Sequence, residues 1–470
     1  MTTLRTLFDL QNERFLAGTT RSRQWRLDQL DRLERMLSEN RQAFKNALAL
    51  DFKTAWFEQD MEFDMTLGSV VEARDRLDEW MTPVEAPLSA RLTRSGHRGT
   101  IHREPYGVCL IIAPFNAPIA LTLEPLIAAL SAGNTAIVKP AETTARMAAL
   151  FEELLGRYFE SDAVAVVRGN RTVIADLLAL PFDFIFFTGS TQVGKIVMRA
   201  AAENLTPVLL ELGGQNPVIV DATANLADAA DKIVWAAMAF GGQWCTSPGY
   251  VQVHESVADD FAHECKAAIT RMYGADPGTS ADLSRIVSSR DVDRLAALLV
   301  GANVIAGGQH DRETRYFAPT LVYPARWDDA VMAEELFGPI LPILPYADID
   351  TVLHAIARKP RSLAGYIFSR DPQTIDKFVH GLSFGGGAVN QTMLQCFMTS
   401  SMPFGGVGAS GLGRYYGKFG FDALSHAKSI VTSLPDVRID ALLPPYSSDK
   451  SAEMADWFAT AGDAQGDRSN

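Results

Sequence analysis

Apolar residues in the first 80 positions recur at helical spacing, with Leu27, Leu30, Leu33 and Leu37 as one series, and charges of both signs fill the places between them. The pattern predicts packed amphipathic helices. From Val108 the period changes. Short apolar runs, VCLII, TAIVK, AVAVV, FIFF and VLLEL, alternate with longer helical segments over roughly 105 to 212, an order that builds a parallel sheet with helices on both faces. A second alternating series begins at PVIVD (217–221) and continues through YVQVH (250–254), Tyr316 to Val322 and AGYIFS (364–369), predicting another α/β domain. Between the helical start and the first sheet, PLSARLTRSGHRGTIHREPYG alternates about a central Gly and reads as a hairpin outside both cores, a position suited to oligomer contact. The tail after Pro435 is polar and is expected to fray at its end.

Composition narrows the function classes. A chain of 470 residues with 47% hydrophobic content can bury a large core and divide into two or three domains. The net charge of −13 is spread along the chain, which favours solubility and disfavours nucleic acid or an anionic membrane as the main partner. Small molecules are the expected ligands. The four cysteines form no CxxC pair, so neither a disulfide framework nor a structural metal site is expected. The N-terminus lacks an uninterrupted apolar core, and the apolar region from Val108 to Leu123 is broken by Pro114, Asn116 and Pro118. A reducing, cytoplasmic compartment without a membrane anchor is expected.

Four stretches can carry chemistry. In FFTGSTQVGK (186–195) a strand runs through a Gly-bounded turn into a helix, where backbone N–H groups could receive a phosphate. GSTQVGK fits the first part of a phosphate loop, but Ile196 stands where Ser or Thr would be needed for magnesium; the dinucleotide GxGxxG is also absent, and a plain strand-to-helix turn stays open. LELGGQNP places Glu211 at a strand end before two glycines, where a carboxylate must be paired, protonated or open to a cleft. APFNAP places Asn116 after the first strand of the sheet, at the end where such folds bind ligands, although an Asn between prolines is commonly a turn residue. GGQWCTSPGY sets Cys245 among small and amide-bearing residues. Oxidation of an aldehyde through a covalent intermediate needs a soft nucleophile, an oxyanion donor, a hydride acceptor and a base for water. Cys245, Asn116, a dinucleotide site and Glu211 would supply all four.

The set PFNAP, GNTAIVKPAE, FTGSTQVG, LELGG, GQWC, EELFGP and PFGGVGASGLG, in this order and at these separations, resembles the aldehyde dehydrogenase superfamily along nearly the whole chain. The short N-terminus, SHAKSIV and LPPYS resemble its class-3 branch, and RAAAENLTPVLLELGG resembles bacterial coniferyl aldehyde dehydrogenases. The resemblance implies an α/β fold with two Rossmann-like domains and a protruding hairpin for oligomerisation. Residues 1–86 and 105–212 would form the NAD(P)-binding domain, 213–389 the catalytic domain, 87–104 with about 390–440 the bridging element, and 441–470 a tail. It implies Cys245 as nucleophile, Glu211, 34 residues earlier, as base, and Asn116 with the Cys245 N–H as oxyanion donors. Lys139 and Glu142 would hold the adenosine ribose, Gly189, Ser190 and Gly194 would lie near the pyrophosphate, and Glu335 and Phe337 would meet the nicotinamide end. NAD is the implied cofactor, with NADP possible: Glu142 would repel a 2′-phosphate, yet class-3 relatives that keep this Glu use both.

The chain departs from the usual family residues at Phe115, Ala117, Gln215, Phe240 and Trp244, which reshape the walls around Cys245. Trp235, Phe240, Trp244 and Phe397 are candidates for an aromatic substrate pocket, with Phe404 helping to wall it, and such a lining suits a flat apolar aldehyde. For Trp235 and Phe240 a helix-core role is the alternative. The expectation is an NAD(P)+-dependent dehydrogenase of a hydrophobic, aromatic aldehyde, such as a coniferyl or benzaldehyde-like compound, acting as a homodimer. A medium- or long-chain aliphatic aldehyde is the alternative, and a nucleotide hydrolase or a non-catalytic NAD-binding protein is a remote one.

Overall fold

The computed structural model describes residues 3–396 and 400–458. The N-terminal periodicity becomes the helix Arg23–Asp51, capped by Ser22, whose hydroxyl accepts the Trp25 N–H at 3.2 Å. Leu30, Leu33 and Leu37 are fully buried on one face of this helix, and Leu27 lies at the rim.

All five apolar runs predicted for the first sheet are strands. Their spatial order is Val208–Leu212, Phe184–Gly189, Val108–Ile112, Thr135–Lys139 and Val164–Val166, all parallel, with the short antiparallel strand Gly411–Leu412 closing the edge beside Val208–Leu212. Burial on both faces explains why they read as continuous apolar runs.

The second sheet has seven strands, ordered Val304–Ala306, Thr320–Val322, Ile340–Tyr346, Pro248–His254, Asn216–Val220, Ala364–Phe368 and Gly386–Val389. It corrects the sequence reading in two respects. The stretch Tyr316 to Val322 is divided: Tyr316–Phe317 pairs with His310–Asp311 in a separate ribbon, and only Thr320–Val322 enters the sheet. Ile340–Tyr346 is a strand in the sheet's interior that the sequence reading passed over, because Pro342 and Pro345 interrupt its pattern.

The predicted hairpin is also changed. Val84–Ala86 pairs antiparallel with Arg98–Pro105, but a short helix, Ala90–Arg94, capped by Ser89, fills much of the span expected to be strand. The third strand of this small sheet comes from Ser425–Thr432, which pairs with Arg98–Pro105 over its full length and leaves most of its side chains exposed. Within the C-terminal segment, helix Ser448–Phe458 lies near Ala90–Arg94, and Arg91 pairs with Glu453 at 2.7 Å; the end of the tail lies outside the described residues. Among the described residues, no helix is long and apolar enough to cross a membrane, and no cluster of His, Cys, Asp and Glu could hold a metal ion.

Candidate active site

The ends of the two sheets meet where Leu212 leaves the first and Asn216 enters the second. A cavity of about 600 Å³ opens there, lined by Asn116, Lys139, Glu142, Gly189, Ser190, Glu211, Gly213, Cys245, Arg294, Glu335 and Phe337. Residues up to 221 positions apart in the chain, Asn116 and Phe337, are thus brought to one space.

The local sequence around Cys245 explains its position. Phe240, Gly241 and Gly242 take left-handed φ values of 56, 65 and 72°, which reverse the chain after helix Leu226–Met238. Gly242 is required for space as well, because a Cβ there would stand 2.2 Å from the carbonyl carbon of Gly338, in the EELFGP segment. The Gln243 side chain then locks the turn: its amide donates to the carbonyls of Phe240 and Arg285 at 2.8 and 3.0 Å, and its oxygen accepts the Val287 N–H at 2.9 Å. Asn216 fixes the other side by donating to the carbonyls of Cys245 and Ser247. Cys245 is partly exposed, whereas Cys109 and Cys265 are fully buried, and burial pushes both of those thiols well up from their ordinary range.

Glu211 lies near the end of its strand and is 3% exposed; neither carboxylate oxygen has a hydrogen-bond partner among the described residues. The PFGGVGASGLG segment folds over it. Gly411 pairs with Glu211, the Leu212 N–H donates to the Ser410 carbonyl at 3.0 Å, and a Cβ on Gly405 would come within 2.9 Å of a Glu211 carboxylate oxygen. Burial raises the Glu211 carboxyl well above the usual range, against the opposing pull of the Arg414 charge. Asn116 is 2% exposed in the turn after Val108–Ile112, and its side-chain NH₂ has no acceptor among the described residues. A buried donor without an acceptor beside a cavity has capacity to spare for a ligand oxygen.

The remaining predicted residues fall into two groups. Lys139 is 1% exposed at the end of its strand and pairs with the half-exposed Glu142 at 2.7 Å. Gly189 and Ser190 form the turn into helix Thr191–Ala202, where Ser190 accepts the Val193 N–H at 3.4 Å; Gly194 faces Leu212, which leaves no room for a side chain. Glu335 packs on Gly213 and Gly214, and burial pushes its carboxyl up to about 7 in spite of the Gly214 N–H and the Arg294 charge. Phe337 holds a left-handed φ of 49° and meets Phe115 edge-on at 5.6 Å. All of these predicted residues except Gly194, which packs behind Leu212, line the cavity.

The aromatic candidates are arranged differently. Trp244 stacks on Phe240 at 4.3 Å with an interplanar angle of 11°. Both rings are buried, and neither Phe240 nor Trp244 borders the cavity described above, so the sequence-predicted pocket role of both is corrected to packing behind Cys245. Trp235 is half-buried on helix Leu226–Met238, Phe404 is buried against Tyr415 and Tyr416, and Phe397 lies outside the described residues. Asn216, Gln243, Arg294 and Arg414 were missed by the sequence reading. Only Gln243 carried a local signal, as an amide directly after two glycines.

Residues 13–430 match the sequence profile of the Aldehyde dehydrogenase family. The chain belongs to the aldehyde dehydrogenase family. It is 41% identical over 437 residues to 4,4'-diaponeurosporen-aldehyde dehydrogenase of Staphylococcus aureus, covering 92% of this chain and 94% of that protein. It is 40% identical to human aldehyde dehydrogenase family 3 member B1, covering 97% and 96% of the two chains. The solved substrate-bound state of Staphylococcus aureus AldH superposes with a TM-score of 0.94 at 39% identity, over 97% of this chain and 99% of that one. These likenesses bear out the class-3-like reading of the sequence and the two Rossmann-like sheets. This aldehyde dehydrogenase is therefore an oxidoreductase that oxidises aldehydes, and its family uses NAD or NADP.

Proposed function

We propose that this enzyme oxidises a hydrophobic, flat aldehyde, aromatic in the first instance, to its carboxylic acid through a covalent bond to Cys245. The observation that carries the reading is the meeting of Cys245, the unpartnered NH₂ of Asn116 and the unpartnered carboxyl of Glu211 around one cavity.

The Cys245 thiol gives its proton to solvent, the resulting thiolate bonds to the carbonyl carbon, and the C=O π electrons move onto the carbonyl oxygen, which takes up the negative charge. Asn116 and the Cys245 N–H donate to that oxygen. The residues beside the cavity fit a dinucleotide: Lys139 and Glu142 offer a cation and an acceptor at one end, the Gly189–Ser190 turn opens a helix whose first N–H groups suit a phosphate, and Glu335 with Phe337 offers an acceptor and a ring at the other. When bound, NAD or NADP supplies the hydride acceptor that leaves a thioester on Cys245. Glu211, once ionised, takes a proton from the water that attacks the thioester; the C–S bond breaks, and the thiol and the acid separate. Retention of this base favours hydrolysis over transfer of the acyl group to an external thiol.

The aromatic reading rests on the rings of Phe115 and Phe337 at the cavity wall, with the Trp244–Phe240 stack packed behind Cys245. Residues 425–432, exposed beside the Arg98–Pro105 strand, are the proposed contact between the two subunits of a homodimer. Residue roles and substrate class are tested separately. Cys245→Ala should bind NAD with unchanged fluorescence quenching and form no NADH; turnover at the parent rate in that variant removes Cys245 from the reaction. In a panel read by reduced nicotinamide absorbance, benzaldehyde and coniferaldehyde should exceed decanal and hexanal in kcat/KM by about tenfold. The reverse order assigns a medium- or long-chain aliphatic substrate.

A further inference from the structure

A charge cluster lies buried behind the site, on elements that touch no reacting atom. Lys53 follows helix Arg23–Asp51 and is fully buried, and its ammonium donates to a carboxylate oxygen of Glu62. The second Glu62 oxygen accepts the N–H groups of Ile119 and Ala120 at 2.6 and 3.2 Å. Those donors lie three and four residues after Asn116, where helix Ala120–Ala132 begins. The same ammonium lies 3.4 Å from the ring centroid of Phe240, whose other face stacks on Trp244. Glu58, one helical turn before Glu62, accepts the Phe240 N–H at 2.7 Å and the Ser284 hydroxyl at 2.6 Å. Two branches thus leave one cation. One ends on the backbone beside Asn116, the other on the residue next to Cys245.

The geometry points to Lys53, with Glu58 and Glu62, as a positioning network that sets the Asn116 donor against the Cys245 sulfur. A surface pair could not do this, because water and side-chain entropy would loosen it. A buried pair is held to one arrangement, since every displacement leaves a charge without its partner. The network also accounts for Phe240 in a left-handed conformation: its N–H is held by Glu58 and its ring by Lys53, so the strained turn before Cys245 is fixed at both ends.

The inference rests on the proposed role of Asn116, and the test separates the two. Steady-state rates would be measured with saturating NAD and benzaldehyde or decanal, whichever the parent turns over faster, for Lys53→Met, Asn116→Ala and the double variant, with thermal melts as a check of folding. Lys53→Met should lower kcat by about tenfold or more. The double variant should be no more than about threefold slower than Asn116→Ala, because a donor that is gone cannot be misplaced. If Lys53→Met does not fold, Glu62→Gln, which keeps the side-chain shape and removes the charge, is read by the same criteria. A kcat within about twofold of the parent, or losses that multiply in the double variant, overturns the network. Full activity in Asn116→Ala overturns instead the role of Asn116 on which it rests.

Discussion

The side chain of Asn216 donates to the carbonyl of Cys245 at 2.9 Å, while its own oxygen accepts the Ala364 N–H at 2.8 Å. One buried amide therefore ties the backbone of Cys245, the proposed nucleophile, to two neighbouring strands of the second sheet. Asn216→Ala should destabilise the protein by about 1–3 kcal/mol, the usual result of leaving buried backbone groups unsatisfied. It should also lower kcat far more than it changes the KM for NAD. Denaturant unfolding and steady-state kinetics on one preparation check both; an equal change in the two kinetic constants counts against a local effect at Cys245.

Gly213 makes a different demand. A Cβ there would stand 2.0 Å from a carboxylate oxygen of Glu335, the far end of a flexible side chain. Gly213→Ala should fold with a nearly unchanged melting temperature and displace Glu335. The expected signature is an NAD KM raised by about tenfold, with Cys245 alkylated by iodoacetamide at the parent rate. Unchanged cofactor affinity would detach Glu335 from the cofactor.

Glu211 has a definite pH consequence. Burial raises its carboxyl well above the ordinary range, so the ionised form of this proposed base gains population only as pH rises through that raised value. Acid release should speed up with increasing pH. Glu211→Gln should form NADH in a burst, slow the following steady state by about 10²–10⁴-fold and flatten the pH profile. Stopped-flow absorbance reads the burst and the slow phase in one trace.

Glu124, on helix Ala120–Ala132, bears on stability instead. Burial pushes its carboxyl up to about 8, against the Ser69 hydrogen bond and aided by the charge of Glu72. The folded state then binds a proton that the unfolded chain, with an ordinary Glu, releases near pH 4.5. This group's contribution is therefore fully present below pH 4.5 and is lost as pH rises toward 8. Glu124→Gln should raise the melting temperature at pH 8 by about two degrees and leave it unchanged at pH 4. Equal shifts at both pH values would assign the effect to packing.

Much of this architecture could be read from the chain because buried strands must be apolar on both faces. VCLII and VLLEL announce themselves, whereas Ile340–Tyr346, broken by Pro342 and Pro345, does not. Ser425–Thr432 was equally silent, since its exposed face mixes polar and apolar residues without a strict period. In the site, Cys245, Glu211 and Asn116 were found from motifs. The residues that hold them were not. Lys53, Glu58 and Glu62 look like the solvated face of a helix until the fold buries them, and Arg414 reaches Glu211 from 203 positions away, a separation that no spacing rule covers.

Only Gly213, Gly214 and Gln215 separate the strand that carries Glu211 from the strand that begins at Asn216, and Gln215 is anchored by its amide to the carbonyls of Met332 and Glu334. This link works as a ruler between the group proposed to break the acyl bond and the segment that holds the one proposed to make it. A single residue inserted there would let both halves fold and still put them out of step, yielding an enzyme that loads its acyl group and cannot discharge it.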